Sequence, residues 1–335
     1  MLNTIKPSLN LLLLLTLTAS GFCRANYTGY LNPLSTPVLK PTTLIFGLPD
    51  LQTRLLAPEH SFEISFQSHF ANTFINRESG DEALLIDGEV QSFSLQARWK
   101  LTDTWEMAVS LPYISHSKGT LDNLIYDWHE WFGLPQGGRA QDTNNQFAYI
   151  YTRDGSTLLD LQEKQSEIGD VHFLFYHQAR WLEQDWVAQV DVKAPTGDAE
   201  ALTGSGAWDL SLGLGWQREL DSSLGKFSHF AGVGLSYLGS SDIGLSPLQE
   251  HWALTGRAGF HWHALSWLSL TGQIDTNTPL YDSELKSLGA TPLQLSVGAR
   301  FFISDRLRLD ASFGEDLNTL ASPDFVASVG AGLLW

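Results

Sequence analysis

Hydrophobic and polar residues alternate with a period of two along most of this chain. From Phe93 the odd positions read Phe93, Leu95, Ala97, Trp99 and Leu101, while the positions between them read Ser92, Ser94, Gln96, Arg98 and Lys100. A strand sends successive side chains to opposite faces, so this spacing predicts a β-strand with one apolar and one polar face. Twelve such stripes occur, among them Phe62/Ile64/Phe66/Phe70, Trp105/Met107/Val109/Leu111, Trp186/Ala188/Val190/Val192, Trp208/Leu210/Leu212/Leu214/Trp216, Leu293/Leu295/Val297/Ala299/Phe301 and Phe325/Ala327/Val329/Ala331/Leu333/Trp335. The opposite faces carry Asp170, His172, Gln178, Arg180, Asp191, Lys193, Asp209, Arg257, His261, Asp275, Arg300, Arg308 and Asp310 among serines and glycines.

Alternation alone does not separate a water-soluble sandwich from a membrane barrel. Segment length does: the runs are about 10 to 13 residues, longer than the usual soluble strand and matched to a tilted bilayer crossing. Connections also alternate. Thr102–Thr104, Leu182–Asp185, Asp221–Gly225, His263–Ser266 and Ser304–Asp305 are short, whereas 114–165, 195–205, 239–250, 277–291 and 314–323 are longer. Short periplasmic turns, longer external loops and an even strand number are the pattern of transmembrane barrels. Tryptophans sit where a bilayer interface would select them. Trp99, Trp105, Trp181, Trp186, Trp216, Trp262, Trp267 and Trp335 flank the short turns, and Trp208 and Trp252 lie at the far strand ends. The expected fold is all-β: a closed antiparallel transmembrane β-barrel of about 12 strands over residues 60–335, with a long external loop at 114–165.

The N-terminus supplies the compartment. Residues 1–25 combine Lys6, an apolar run from Leu9 to Leu17 and a Cys23-Arg24-Ala25 cleavage site, which reads as an export signal. The apolar run is too short to span a bilayer as a helix. Phe22 stands where a lipidation signal on Cys23 would require a small residue. Residues 26–59 are proline-rich and precede the first stripe, so they are expected to form a periplasmic segment or a plug threading the lumen. A formal net charge of −17 with 20 Lys and Arg argues against nucleic acid as a partner. Cys23 is the single cysteine of the 335 residues, so no disulfide is expected.

The 114–165 stretch is long enough to carry function. Leu121, Leu124, Ile125, Trp128, Trp131 and Phe132 follow helical spacing, which predicts a short amphipathic helix stopped by Gly133 and Pro135. Phe147 to Leu161, with Asp154-Gly155 at its centre, predicts a hairpin above the membrane. Candidates for a constriction or ligand contact are Trp128, His129, Trp131 and Arg139 of this loop with Asp170, Lys193 and Arg300 of the polar faces. The facing charges have two readings, solute selection or a salt-bridged lumen that pairs its own charges. His129 lacks a second histidine at i+4, so no metal site is assigned. Ser205 sits in Gly204-Ser205-Gly206 without the Gly-x-Ser-x-Gly elbow of a nucleophile, and no catalytic residue or cofactor is assigned. Strand glycines such as Gly213, Gly215, Gly232 and Gly234 are expected to relieve crowding in a narrow lumen. Glu78, Asp81, Glu82, Asp87 and Glu89 read as a solvated cluster on an external loop.

Several motifs are shared with a known group. Leu85-Ile86-Asp87-Gly88-Glu89, the stretch from Leu121 to Arg139, Ile168-Gly169-Asp170-Val171, Lys193-Ala194-Pro195-Thr196-Gly197-Asp198, Leu202-Thr203-Gly204-Ser205-Gly206, Leu280-Tyr281-Asp282-Ser283 and Ser322-Pro323-Asp324 resemble the Gram-negative family called domain of unknown function 3187. The resemblance covers nearly all of the chain after its signal. It implies an outer-membrane location and transfers no catalytic residue. The final strand ending on Trp335 resembles the assembly signal read by the barrel-assembly machinery. Outer-membrane lipid, lipopolysaccharide and a small solute are the remaining expected partners. The function expected is a narrow channel or carrier for a small solute, apolar ones included; a closed structural or lipid-binding barrel is the alternative, and a lipid-modifying enzyme a third. On this reading Leu212→Arg, on the lipid face, is expected to cost far more than Ser211→Arg, on the lumen face.

Overall fold

The computed structural model describes residues 31–56, 60–118, 146–222, 225–318, 321, 323 and 325–335. Its strands are β1 (Phe62–Ser79), β2 (Glu82–Lys100), β3 (Trp105–Ser117), β4 (Ala148–Arg153), β5 (Ser156–Leu161), β6 (Gln165–Ile168), β7 (Val171–Trp181), β8 (Gln184–Ala194), β9 (Asp209–Ser222), β10 (Gly225–Leu238), β11 (Trp252–Leu265), β12 (Leu268–Asn277), β13 (Leu293–Phe302), β14 (Leu307–Asp316) and β15 (Phe325–Leu334). Antiparallel pairing runs from β1 through β2, β3 and β7, then strand by strand to β15, and returns from β15 to β1. Twelve strands therefore close a barrel and leave no free edge across the membrane, which satisfies every ladder donor and acceptor in a solvent that offers none. Glu63 pairs with Leu334 and Asn72 with Phe325 along the closing seam, and the Trp335 N–H donates to Phe62 O at 2.9 Å.

The apolar stripes point outward and the polar faces inward. Leu95, Leu212, Leu254 and Val297 are half exposed on the outer wall, while Ser211, His261 and Ser269 are fully buried on the inner one. Aromatic rings ring the short-turn end. Phe62 lies between Trp99 and Trp335 at 5.5 and 5.4 Å, and Trp186 lies between Trp181 and Trp216 at 6.1 and 6.4 Å. At the opposite end Tyr237 meets Trp252 at 5.1 Å. Helix is confined, among the described residues, to one turn at Lys286–Gly289 and a 3₁₀ turn at Ser246–Leu248. The export signal expected at 1–25 and the helix expected around 121–132 lie outside the described residues.

The first hairpin departs from expectation. The acidic stretch read as a solvated external loop is strand: β1 and β2 continue to a tight turn at Gly80-Asp81, and Glu82, Asp87 and Glu89 are buried. At about 3.3 Å per residue, the 18 and 19 residues of these strands reach roughly 60 Å, well past a hydrocarbon core of about 30 Å. Their upper halves stand outside the membrane, where β4 pairs with β2 from Glu82↔Arg153 to Asp87↔Ala148. The expected hairpin over 147–161 forms there as β4 and β5, turning at Asp154 and Gly155 with φ of 52° and 74°. The positive φ at both positions is the geometry that an Asp-Gly turn favours.

These external elements share one apolar core. Ile75, Leu84, Ile86, Tyr149, Tyr151, Leu245 and Leu288 pack together with Ile45 and Phe46 from the N-terminal segment. A lid of side chains thus closes over the upper barrel.

Candidate functional site

The lumen is occupied by residues 31–56. Pro33, Pro37, Pro41 and Pro49 remove backbone donors and fix φ, so this stretch cannot build a strand ladder of its own. It forms two extended arms joined by a turn in which Thr43 N and Leu44 N donate to Lys40 O at 2.9 Å. The turn lies under the lid. Tyr281, in the loop after β12, donates its hydroxyl to Thr42 O, and burial pushes that phenol above the ordinary tyrosine range. The arms are tied to each other by Asn32, whose Oδ1 accepts from Thr53 N at 3.0 Å and Arg54 N at 2.9 Å.

Inward-facing side chains hold both arms. Gln273 Oε1 accepts from Leu34 N at 2.9 Å, and Gln189 Oε1 from Gln52 N at 3.1 Å. Asp209 Oδ2 accepts from Gly47 N at 2.8 Å, and Glu106 Oε1 from Leu56 N at 2.6 Å. Arg257 grips the two arms at once. Its Nη2 donates to Thr36 Oγ1 at 2.9 Å, its Nη1 meets Asp50 Oδ1 at 2.6 Å, and its Nε meets Asp275 of the neighbouring strand at 2.5 Å. Strand glycines make the fit possible: a Cβ on Gly213 would lie 2.7 Å from Leu51 Cδ2, one on Gly234 2.6 Å from Pro49 Cγ, and one on Gly215 2.3 Å from Gln52 O.

Two charge clusters set the rim and the floor. Lys193 Nζ lies 2.5 Å from Asp170 Oδ2, 3.2 Å from Asp209 Oδ2 and 2.5 Å from Ser205 Oγ, all fully or nearly buried. Asp170 also accepts from Thr196 N, Gly197 N and Ser205 N at 2.8 to 3.0 Å, which fastens the 195–208 loop to the barrel. Nearer the short-turn end Arg300 pairs with Asp310 and donates to Asn32 O at 3.2 Å. Arg308 meets Glu63 at 2.5 Å, and Arg98 meets Glu106 at 2.6 Å while lying 4.4 Å over the Tyr176 ring. His172 Nδ1 lies 3.0 Å from Asp191 Oδ1.

Beside the N-terminal segment a cavity of about 270 Å³ remains. Strands β1, β2 and β3 form much of its wall, and residues 32–52 supply much of the rest.

Of the residues singled out from sequence, Asp170 and Lys193 come together, and Arg300 lies apart from them on β13. All three line the cavity. Arg180, placed among the lumen charges by its position, is exposed at the short-turn end instead, because β7 has there reached the membrane boundary. Trp128, His129, Trp131 and Arg139 lie outside the described residues. Arg257, Gln273, Gln189 and Asp50 were not singled out; the first three stood on the polar faces, and nothing local marked their partners. Among the described residues no group of three or more His, Cys, Asp or Glu side chains converges as a metal site.

A closed twelve-stranded antiparallel barrel with a lipid-facing apolar wall and a polar lumen is an outer-membrane-type β-barrel. The chain belongs to the family described as protein of unknown function (DUF3187), which matches residues 11–333. Its fold is similar to that of the COG4313 outer membrane channel from Pseudomonas putida F1, at a TM-score of 0.54 and 14% identity over 87% of this chain and 98% of that one. Weaker likenesses are to the CymD monoaromatic hydrocarbon channel, at a TM-score of 0.40 and 9% identity over 82% of this chain and 89% of that one, and to the toluene transporter TbuX of Ralstonia pickettii, at 0.40 and 9% over 82% and 90%. No curated protein matches the chain.

Proposed function

We propose that this protein resides in the outer membrane and passes a small solute along its lumen, with residues 31–56 as the plug that regulates passage. The carrying observation is the way the plug is held. Its arms are fixed to the wall by single side chains such as Gln273, Asp209 and Arg257 rather than by a β-ladder, and a cavity remains between plug and wall. Bonds of that kind can be exchanged for water one at a time, so a plug so held can shift while the barrel stays closed. The fold similarity to an outer-membrane channel agrees with this reading.

Catalysis is not part of the proposal. Ser205 is fully buried, and its hydroxyl is held between Lys193 and the backbone of Ala207. Lys193 Nζ is engaged by the carboxylates of Asp170 and Asp209, so the amine beside Ser205 belongs to an ion-pair cluster rather than being poised against a nucleophile. Lipid and lipopolysaccharide around the wall, and the barrel-assembly machinery acting on the strand that ends at Trp335, are the further partners proposed.

The test is current across a planar bilayer, wild type beside Arg257→Ala. A small or absent wild-type current that rises at least severalfold in the variant supports a plugged conduit. The second reading, a closed structural barrel, is favoured by the self-paired lumen charges, and equal silence of both proteins would select it.

A further inference from the structure

The cavity beside the plug has two chemically unlike walls. On the barrel side it is lined by Ser65 and Gln67 of β1, Ser92, Ser94 and Gln96 of β2 and Ser110 of β3, all hydroxyls and amides without charge. On the plug side Leu34, Pro37, Val38, Leu39 and Leu44 form an aliphatic patch, with Ser35, Thr36 and Thr43 as the short polar side chains around it. The charged side chains that reach it are matched already, as in the Arg300–Asp310, Arg308–Glu63, Lys193–Asp170 and His172–Asp191 pairs. An ion entering this space would shed water and meet only counter-charges that are already engaged, which is costly. A pure hydrocarbon would strip water from the serine and glutamine wall and return no hydrogen bond. A sugar carries hydroxyls on every side and would turn some of them onto the aliphatic patch of Leu34, Val38 and Leu44.

We propose that the cavity is a binding site for a neutral amphipathic molecule, which turns a hydroxyl or carbonyl toward the Ser94, Gln96 and Ser110 wall and its hydrocarbon face toward Leu34, Val38 and Leu44. The site rests on the reading of the lumen as a solute path and specifies what travels there. Its volume of about 270 Å³ sets the size. A cavity of about 150 Å³ accepts benzene, so a single ring with a short polar substituent fits with room for a water molecule. The Ser94 and Ser110 hydroxyls, 2.9 Å apart, form a ready pair of donors and acceptors for that substituent.

Isothermal titration calorimetry on the purified full-length protein tests this with four probes: cyclohexylmethanol, cyclohexanecarboxylate, ethylcyclohexane and glucose. Saturable binding of cyclohexylmethanol at one per chain, at least tenfold tighter than the other three, is the expected result. Gln96→Leu keeps the wall's volume and removes its amide, so it should weaken cyclohexylmethanol about fivefold and leave ethylcyclohexane no weaker. Heat-modifiable migration on gels shows that the variant barrel is folded. Equal or tighter binding of carboxylate, hydrocarbon or glucose overturns the proposal, as does the absence of saturable binding by cyclohexylmethanol. Flux of the same probes into proteoliposomes separates the two readings. Saturable binding without flux keeps the site and removes the solute path, whereas flux without saturable binding keeps the path and removes the site.

Discussion

The carbonyl oxygen of Gln52 lies where a side chain on Gly215 would begin, 2.3 Å from the position of its Cβ. The returning arm of the plug is thus laid directly against the backbone of β9, and no residue with a β-carbon can stand at that point unless the arm moves. Gly215→Ala is therefore expected to lift the arm without opening the barrel. Gly256→Ala is the control, because its Cβ would meet only the Thr276 methyl at 3.3 Å. Protease digestion of the folded protein from the short-turn side should cut within 49–54 faster in Gly215→Ala than in wild type, with Gly256→Ala unchanged; equal rates in all three would refute the close approach.

This contact shows what the sequence could and could not carry. The barrel wall was legible because lipid on one side and a polar lumen on the other impose a period of two on each strand. The period fails at 71–75, where Ala71, Asn72, Thr73, Phe74 and Ile75 are all buried. Both faces are covered there, so the stripe read from Phe62 stops at Phe70 although the strand runs on to Ser79. The plug has no period at all, and its partners are remote: Leu34 and Gln273 are separated by 239 residues. Glycines on β9 and β10 were legible as a sign of crowding, but what crowds them is a segment over 150 residues earlier in the chain. Lys193 and Asp170 could be named as polar, lumen-facing residues, yet their shared ties to Ser205 and the 195–208 loop emerge only from the fold.

Lys193 is the single cation of its cluster, between Asp170 and Asp209, both nearly inaccessible to water. Lys193→Met removes the charge and keeps the length of the side chain, leaving two buried carboxylates to repel one another. Loss of one partner from a buried ion pair costs about 3–5 kcal/mol, and a drop of that order is expected in urea unfolding of the detergent-solubilised barrel. Loop 195–208 should exchange its amide hydrogens faster in the same variant, since Asp170 accepts three of its N–H groups. A loss below about 1 kcal/mol would mean that water or another cation reaches the site.

The occupied lumen changes the test of side-chain facing. Ser211→Arg was expected to be far milder than Leu212→Arg, because position 211 faces the lumen and not lipid. Ser211 is instead fully buried against the plug, its hydroxyl donating to Gly47 O at 2.5 Å and lying 2.7 Å from Ser236 Oγ, so its replacement should be disruptive. Ser94 and Leu95 make the better pair. Leu95 is half exposed on the outer wall, and Leu95→Arg is expected to cost about 2–4 kcal/mol if it sits near the bilayer midplane. Ser94 lines the cavity, so Ser94→Arg should cost less than half as much and reduce solute flux. Unfolding from lipid vesicles measures the first difference, and proteoliposome uptake the second. Equal destabilisation by the two arginines would invert the assigned faces.

The plug turn and the lid form one unit, because Ile45 and Phe46 are buried among Leu84, Tyr149, Leu245, Leu288 and their neighbours. Phe46 also meets Tyr281 edge to face at 6.0 Å, and that tyrosine's hydroxyl holds Thr42 O. Removing the Phe46 ring empties a site where external loops and N-terminal segment touch, at an expected cost of about 3–5 kcal/mol to the packing of both. Phe46→Ala should then raise hydrogen exchange in 31–56 and in the 239–251 and 278–292 loops together, while the barrel strands β7 to β10 keep their protection. Coupling is the point of the measurement. If the loops loosen and the plug does not, the lid is independent of the plug, and movement at the periplasmic end of the segment would have no route to the outer mouth of the barrel.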